Sequence, residues 1–375
     1  MTGRLPLDGI RVIDVSRVLA GPFATMLLAD LGADVVKVEP PEGDETRAWG
    51  PPWWGDRADR RSAYFASVNR NKRGIVLDLR TDDGRATLDR LLADADLLVH
   101  NYRPSTAARL GLEADALAAR HPRLIVASVG GFPGADADRP AYDLLAQAVS
   151  GLMSVTGEPE GEPMKVGVAL LDLIAGLEMA VGALAALVGR GTSAPRRVQV
   201  NLIEAGVTSL INVLGNHLAG STPERHGNAH PNIAPYQSFA ARDGHLVIAV
   251  GNDAQFGRLL GVLDLPDDRR FATNPQRVAR RDELVAWLGE AIGRWERAAL
   301  VAALTAVDVP AGPVNSVAEA VAALGPDWVQ AIDGERLPPG PIRLGRDALT
   351  VRRAPPRLGE HTAEILREAV SRAAD

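Results

Sequence analysis

Residues 166–177, VGVALLDLIAGL, place one carboxylate, Asp172, inside a run that is otherwise apolar. An isolated ionised carboxylate in an apolar interior is costly, so such a group shifts its pKa, finds a partner or performs a task. Two readings stay open from residue chemistry alone. In one, Asp172 is the N-cap of the helix that LIAGLEMAVGALAALV predicts, Asp being favoured at that position. In the other, the helix N-terminus keeps the carboxylate ionised but poorly solvated, which makes it a nucleophile toward an activated acyl carbon. Glu178 stands about 240° around a helix from Asp172, so the two do not converge as glycosidase carboxylates do.

Other chemistries find less support. The chain has no cysteine, which excludes disulfides, thiolate nucleophiles and cysteine metal sites, and no G-x-S-x-G elbow for serine hydrolysis occurs. His226 and His230 in RHGNAHPN have the i, i+4 spacing of helical metal ligands, but Gly227 and Pro231 argue for a loop, and no metal is expected. Glu39 ends a second strand where a ribose-binding acid would sit. The preceding turn, SRVLAGPFA, has one glycine and then proline in place of G-x-G-x-x-G, so neither a nicotinamide nor a flavin is expected. A net charge of −6 gives no basic footprint for nucleic acid or an anionic membrane. Of 41 basic residues only Lys37, Lys72 and Lys165 are lysine; this skew reads as coding bias, so clusters of arginine carry little weight by themselves.

The elements that must position Asp172 follow from periodicity. IRVIDVS, ADVVKVEP, GIVLDLR, DLLVHNY and RLIVASVGG read as strands, separated by ATMLLADLG, DDGRATLDRLLADA and other helical runs. Leu88, Leu91, Leu92 and Ala95 keep the i, i+3, i+4, i+7 pattern, with Thr81 or Asp82 as cap. Strand and helix in alternation predict an α/β fold with a Rossmann-like parallel sheet. WGPPWWGDRADRRS interrupts the alternation as an exposed, aromatic-bearing loop. Residues 166–188 carry only two charges and could mimic a membrane span, but both charges disfavour a bilayer centre, and a buried helix is the expectation. From about Arg225 the character changes to a hairpin turning at Arg242–Gly244 and amphipathic helices. The expected organisation is a large domain over 1–200, a helical linker over 201–224, a small α+β domain over 225–325, and a C-terminal return to the large domain over 326–375. IRVIDVS near the start lacks the pattern of a secretory leader, and the cytoplasm is the expected location.

Motifs along nearly the whole chain resemble the family III coenzyme A transferases, which include formyl-CoA transferase and the carnitine CoA-transferases. They are PLDGIRVIDVSRVLAGPFATMLLADLGADVVKVEPPEGDETR, NRNKRGIVLDLRT, LLVHNYRPSTAARLGL, AYDLLAQAVSGLMSVTG, VGVALLDLIAG, APYQSFAARDGHLVIAVGND, PAGPVNS and LGEHT, in order. The resemblance implies catalysis by Asp172 and transfer of CoA from an acyl-CoA to a small carboxylic acid, through aspartyl mixed anhydrides and an aspartyl-CoA thioester. It implies no prosthetic group, CoA thioesters being substrates, and a homodimer of interlocked chains. Arg80, Asn101, Tyr102 and Arg109 match the family's CoA contacts, with Arg103 a further candidate; Tyr142 matches a position beside the thioester. Leu19 stands where formyl-CoA transferase has a substrate-binding glutamine, and Pro40 replaces a basic CoA contact, so formyl-CoA and oxalate are not the expected substrates. The related 2-methylacyl-CoA racemases place a histidine where Tyr142 stands, which makes racemisation the alternative within the fold; a non-catalytic acyl-CoA-binding protein is the alternative outside enzymes.

Overall fold

The computed structural model describes residues 4–55, 60–192, 196–345 and 347–372. Six parallel strands form the main sheet: β1 (Arg11–Asp14), β2 (Asp34–Glu39), β3 (Lys72–Val76), β4 (Leu97–His100), β5 (Ile125–Gly130) and β6 (Arg197–Asn201). Their spatial order is β3-β2-β1-β4-β5-β6. The order reverses between β1 and β4, and in open parallel sheets the crevice for ligands opens beyond the carboxyl ends of the strands at such a point. Continuous apolar runs such as Leu97–Val99 belong in strands covered on both faces.

On one face, α1 (Ala20–Asp30), the long α6 (Leu170–Val188) and α7 (Leu202–Ser209) pack over Val12, Val35, Leu97 and Val129. Helix α6 is apolar and long enough to cross a membrane by length and composition, yet Leu171, Ala175, Met179, Ala183 and Leu187 form its stripe in this core. Gly176 sets its distance from α1, since a Cβ there would stand 2.7 Å from the Ala20 carbonyl oxygen. The close approach brings the first turn of α6, with Asp172, beside the loop that follows β1. On the opposite face, α2 (Asp82–Leu92), α3 (Pro104–Leu110), α4 (Ala114–Arg120) and the C-terminal α12 (Thr362–Arg372) cover Ile13, Val36, Leu98 and Val126. Arg73 on β3 ties α12 down through Glu364 (2.7 Å) and Glu368 (2.8 Å) while also pairing with Asp34 (2.7 Å).

The chain divides into two compact units. One comprises Met1–Leu152, Lys165–Ser221 and Pro326–Asp375, the other Met153–Met164 and Thr222–Gly325. The second contains the three-stranded antiparallel sheet of β7 (Tyr236–Ala241), β8 (Gly244–Ala249) and β9 (Ala311–Pro313), in the order β9-β8-β7. Helices α9 (Asp253–Leu263), α10 (Arg281–Ile292) and α11 (Arg297–Ala306) cover it with Leu259, Leu284, Leu288, Ile292 and Leu304, all fully buried. Residues 153–164, placed in the large domain from sequence, belong to this unit, where Arg225 donates to the carbonyls of Glu158 (3.0 Å) and Gly161 (2.7 Å). In the aromatic segment before β3, Trp53–Trp54 pairs antiparallel with Arg61–Ser62, so the expected loop is partly a short hairpin; residues 56–59 of it lie outside the described residues.

Candidate active site

The loop after β1 carries unusual backbone geometry. Val18 has φ 67°, a left-handed conformation that a β-branched residue adopts only when its surroundings impose it, at a cost on the order of 1–3 kcal/mol. Asn101, at the end of β4, clamps the preceding residue across the switch point: its Oδ1 accepts from Arg17 N (2.8 Å) and its Nδ2 donates to Arg17 O (2.6 Å). Asp44 Oδ2 accepts from Val18 N at 3.3 Å and from Lys37 Nζ at 3.0 Å. Lys37 Nζ also donates to Ser16 O (3.0 Å), and Lys72 Nζ donates to Asp14 Oδ2 (3.0 Å). Burial alone would discharge these groups. Asp44, Asp14 and Glu39 outweigh burial at Lys37 and raise its pKa, whereas burial prevails at Lys72 and brings it down to about 8. Burial likewise opposes the charge of Asp44, but Lys37 and the Thr46 donors outweigh it and hold the carboxyl at about 2. Two of the three lysines are therefore fully buried beneath this loop as paired charges.

Asp172 lies in the first turn of α6, not at its cap. Ala169 occupies the N-cap, and the acceptor for the free amides comes from elsewhere: Asp143 Oδ1 accepts from Leu171 N (2.8 Å) and Asp172 N (3.3 Å). Asp143 opens α5 (Asp143–Val149), where Gln147 Nε2 donates to Asp143 Oδ2 (2.6 Å) and Gln147 Oε1 accepts from Val166 N (2.8 Å). The N-cap reading of Asp172 is thus corrected, and so is the idea that the amides of its own turn hold it ionised. Those amides are committed to Asp143. The Asp172 carboxyl accepts no hydrogen bond among the described residues, and burial, reinforced by the charge of Asp143, pushes its pKa up to about 7. A carboxylate so weakly solvated is a strong nucleophile once ionised. Replacing Asp143 by Asn keeps an oxygen for the two amides and removes the second charge. The acid limb of the pH–rate profile is then expected to move to lower pH; an unmoved limb in kcat/KM would show that Asp143 does not set the ionisation of Asp172.

Asp172 opens onto a cavity of about 280 Å³ lined also by Leu19, Tyr142, Arg17, Asn101 and Arg103. A second cleft of about 450 Å³ is lined by Arg80, Arg109, Pro40, Leu77 and Leu79. Arg17, Glu45, Tyr102, Arg103 and Thr106 line both, so the arginine-lined cleft adjoins the cavity of Asp172. Arg80 is exposed and held by Asp78 (2.7 Å) and Glu42 (3.0 Å), and Arg103 donates to Asp138 O at 3.2 Å. Tyr102 lies half-buried at the junction, whereas the amide of Asn101 is spent on the Arg17 main chain.

Tyr64, which nothing in its sequence context marks, belongs to the same neighbourhood. Burial first, then the charges of Asp172 and Asp143, raise its phenol to about 12, so it stays a neutral donor throughout the working pH range. Its ring meets Trp49 edge-on at 5.0 Å. A separate cavity of about 400 Å³, lined by His100, Ser128 and Arg197, does not include Asp172.

The model of CoA-transferase family III matches residues 7–362. This chain belongs to that family. It is 42% identical to the succinate–glutarate CoA-transferase of Agrobacterium fabrum (strain C58), covering 97% of this chain and 95% of that protein. The acetyl-CoA:oxalate CoA-transferase of Acetobacter aceti is 39% identical, with 97% and 95% covered. The crystal structure of a CaiB/BaiF family protein from Brucella suis superposes with a TM-score of 0.86 at 42% identity, covering 98% of this chain and all of that one. The chain is accordingly a family III CoA-transferase, an enzyme that works on CoA thioesters and carboxylic acids.

Proposed function

We propose that this CoA-transferase moves CoA from an acyl-CoA to a small dicarboxylic acid, with Asp172 as nucleophile. The observation that carries the reading is a carboxyl that accepts no hydrogen bond among the described residues, has a raised pKa, and lines a cavity adjoining an arginine-lined cleft. Relatives named for succinate, glutarate and oxalate support the dicarboxylate class.

Ionised Asp172 attacks the thioester carbonyl, breaking the C–S bond and releasing CoA thiolate, which leaves an acyl-aspartyl anhydride. The thiolate then attacks the Asp172 carbonyl, expelling the donor acid with one former aspartate oxygen and leaving an aspartyl-CoA thioester. The acceptor carboxylate displaces CoA to form a second anhydride, and the thiolate attacks its acceptor carbonyl. The new thioester leaves, and Asp172 is restored with one oxygen from the acceptor. No net proton is consumed and the acyl activation is conserved, so what the site must supply is exclusion of water from the anhydrides. A screen of acyl-CoA donors against carboxylic acids, read by mass spectrometry, tests the reading. Formation of a new CoA thioester from a dicarboxylate supports it, and donor hydrolysis or α-proton exchange without transfer contradicts it.

In this reading Arg80 and Arg109 neutralise CoA phosphates at the outer rim. Replacing both by Ala is expected to weaken CoA binding about tenfold or more in calorimetry, the effect diminishing as salt is raised. Unchanged affinity would remove them from the site. A homodimer, with interlocked chains as the family resemblance implies, is part of the same proposal. Its support is the apolar surface that α5, α6 and α8 (Ile211–Leu218) leave exposed, including Leu144, Val181, Ile211 and Leu218. Sedimentation at nanomolar concentration is expected to find a single dimeric species, and an active monomer would refute it.

A further inference from the structure

Three arginines line the cavity that holds Asp172, and two of them are engaged. Arg139 pairs with Asp136 at 3.1 Å and lies over the Phe132 ring at 4.2 Å, and Arg103 donates to a main-chain carbonyl. Arg17 differs. Among the described residues its guanidinium pairs with no carboxylate, and its buried Nε has no hydrogen-bond partner. It is nevertheless held in place: Asn101 fixes its main chain from both sides, and the Tyr102 ring packs against the guanidinium at 5.0 Å from the centroid. A half-buried, fixed guanidinium that pairs with no carboxylate among the described residues is suited to bind an anion, and its planar fork takes a carboxylate in bidentate fashion.

We infer that Arg17 receives the distal carboxylate of a dicarboxylic substrate whose other carboxylate reacts at Asp172. The inference rests on the CoA-transfer reading above and adds the residue that selects the acid. A phosphate of CoA is the competing anion, because Arg17 also lines the outer cleft. Chain length decides against it. The diphosphate of CoA is a whole pantetheine arm from the sulfur, whereas the second carboxylate of a four- or five-carbon acid is only a few bonds from the reacting one. The cation that shares a cavity with the nucleophile therefore suits the acid, and Arg80 and Arg109, which line only the outer cleft, suit the phosphates.

The test compares the full-length wild type with Arg17→Gln and Arg17→Lys, using one acyl-CoA donor with an uncharged acyl group that the wild type accepts. Acceptors are matched pairs: succinate with butyrate, and glutarate with pentanoate. The wild type is expected to prefer the diacid of each pair. In Arg17→Gln, kcat/KM for the diacids is expected to fall about 10- to 100-fold, the scale of a hydrogen bond to a charged group, with a loss for the monoacids at least tenfold smaller and an unchanged donor KM. Arg17→Lys, which keeps the charge without the fork, is expected to lie between, and it decides the matter if the Gln variant does not fold. Equal losses for diacids and monoacids, or a raised donor KM, would give the cation to CoA or to the fold and overturn the inference. A wild type that transfers CoA to diacids and monoacids equally well overturns this inference alone; one that transfers CoA to no diacid overturns the reading beneath it.

Discussion

Asp172→Asn is expected to abolish CoA transfer, lowering kcat by a factor of about 10⁴ or more while leaving acyl-CoA binding within a few-fold of wild type. The amide keeps the shape of the side chain, so the cavity and the Asp143 cap of α6 are undisturbed. What it lacks is an oxygen nucleophile able to form an anhydride. Asp172→Ala is expected to be equally inactive, and Asp143→Asn, one helix away in the same network, is expected to stay active with a displaced pH profile. Steady-state transfer assays beside calorimetric CoA titrations separate chemistry from binding. Turnover near wild-type level in Asp172→Asn would show that the acid does not attack the thioester.

The same substitution is expected to stabilise the protein above neutral pH. Asp172 has a folded-state pKa raised from 3.8 to about 7, chiefly by burial. Below the lower value the group is neutral in both states and Asn changes little. Between the two values unfolding ionises the carboxyl, so the wild type loses stability as pH rises. Above about 7 the full penalty is present in the wild type and absent in the Asn variant. The gain is therefore expected to grow from about pH 4 to pH 7 and then level off, at a magnitude on the order of 2–4 kcal/mol. Denaturant unfolding of both proteins at pH 5 and pH 8, without ligand, measures it. A variant that is no more stable at pH 8 than at pH 5, relative to wild type, would mean that the carboxyl is better solvated than its burial indicates.

Much of this was legible in the residue order, and the reasons for the remainder are physical. Alternating strands and helices declare a parallel sheet, because periodicity is a local property. The order β3-β2-β1-β4-β5-β6, which puts Asn101 beside Arg17, depends on packing between segments 84 residues apart. Asp172 stood out as an acid in an apolar run, but its environment did not. An Asp ahead of an apolar helix reads as its own cap, and only the fold brings Asp143, 28 residues earlier than Leu171, to take that task. Arg17 and Tyr64 carried no pattern, since a guanidinium that pairs with no carboxylate among the described residues and a phenol near two carboxylates are defined by what surrounds them. The lysines teach the converse. In a chain where only three of 41 basic residues are lysine, Lys37 and Lys72 both form fully buried ion pairs, so their rarity was itself a signal. Reading the arginine-to-lysine skew as coding bias concealed it.

On the proposed route Asp172 becomes covalently part of each substrate in turn, and an isotope label reveals it. Each turnover by the proposed route leaves one acceptor oxygen on the aspartate. With an acceptor acid labelled in both carboxylate oxygens with ¹⁸O, the peptide containing Asp172 is therefore expected to gain the mass of one and then two ¹⁸O atoms on repeated turnover, with the label located at Asp172 by fragmentation. The Asp172→Asn variant is expected to acquire none. Formation of the acceptor's CoA thioester at the normal rate with no ¹⁸O at Asp172 would mean that the acyl groups never pass through this carboxylate and that Asp172 is not the nucleophile.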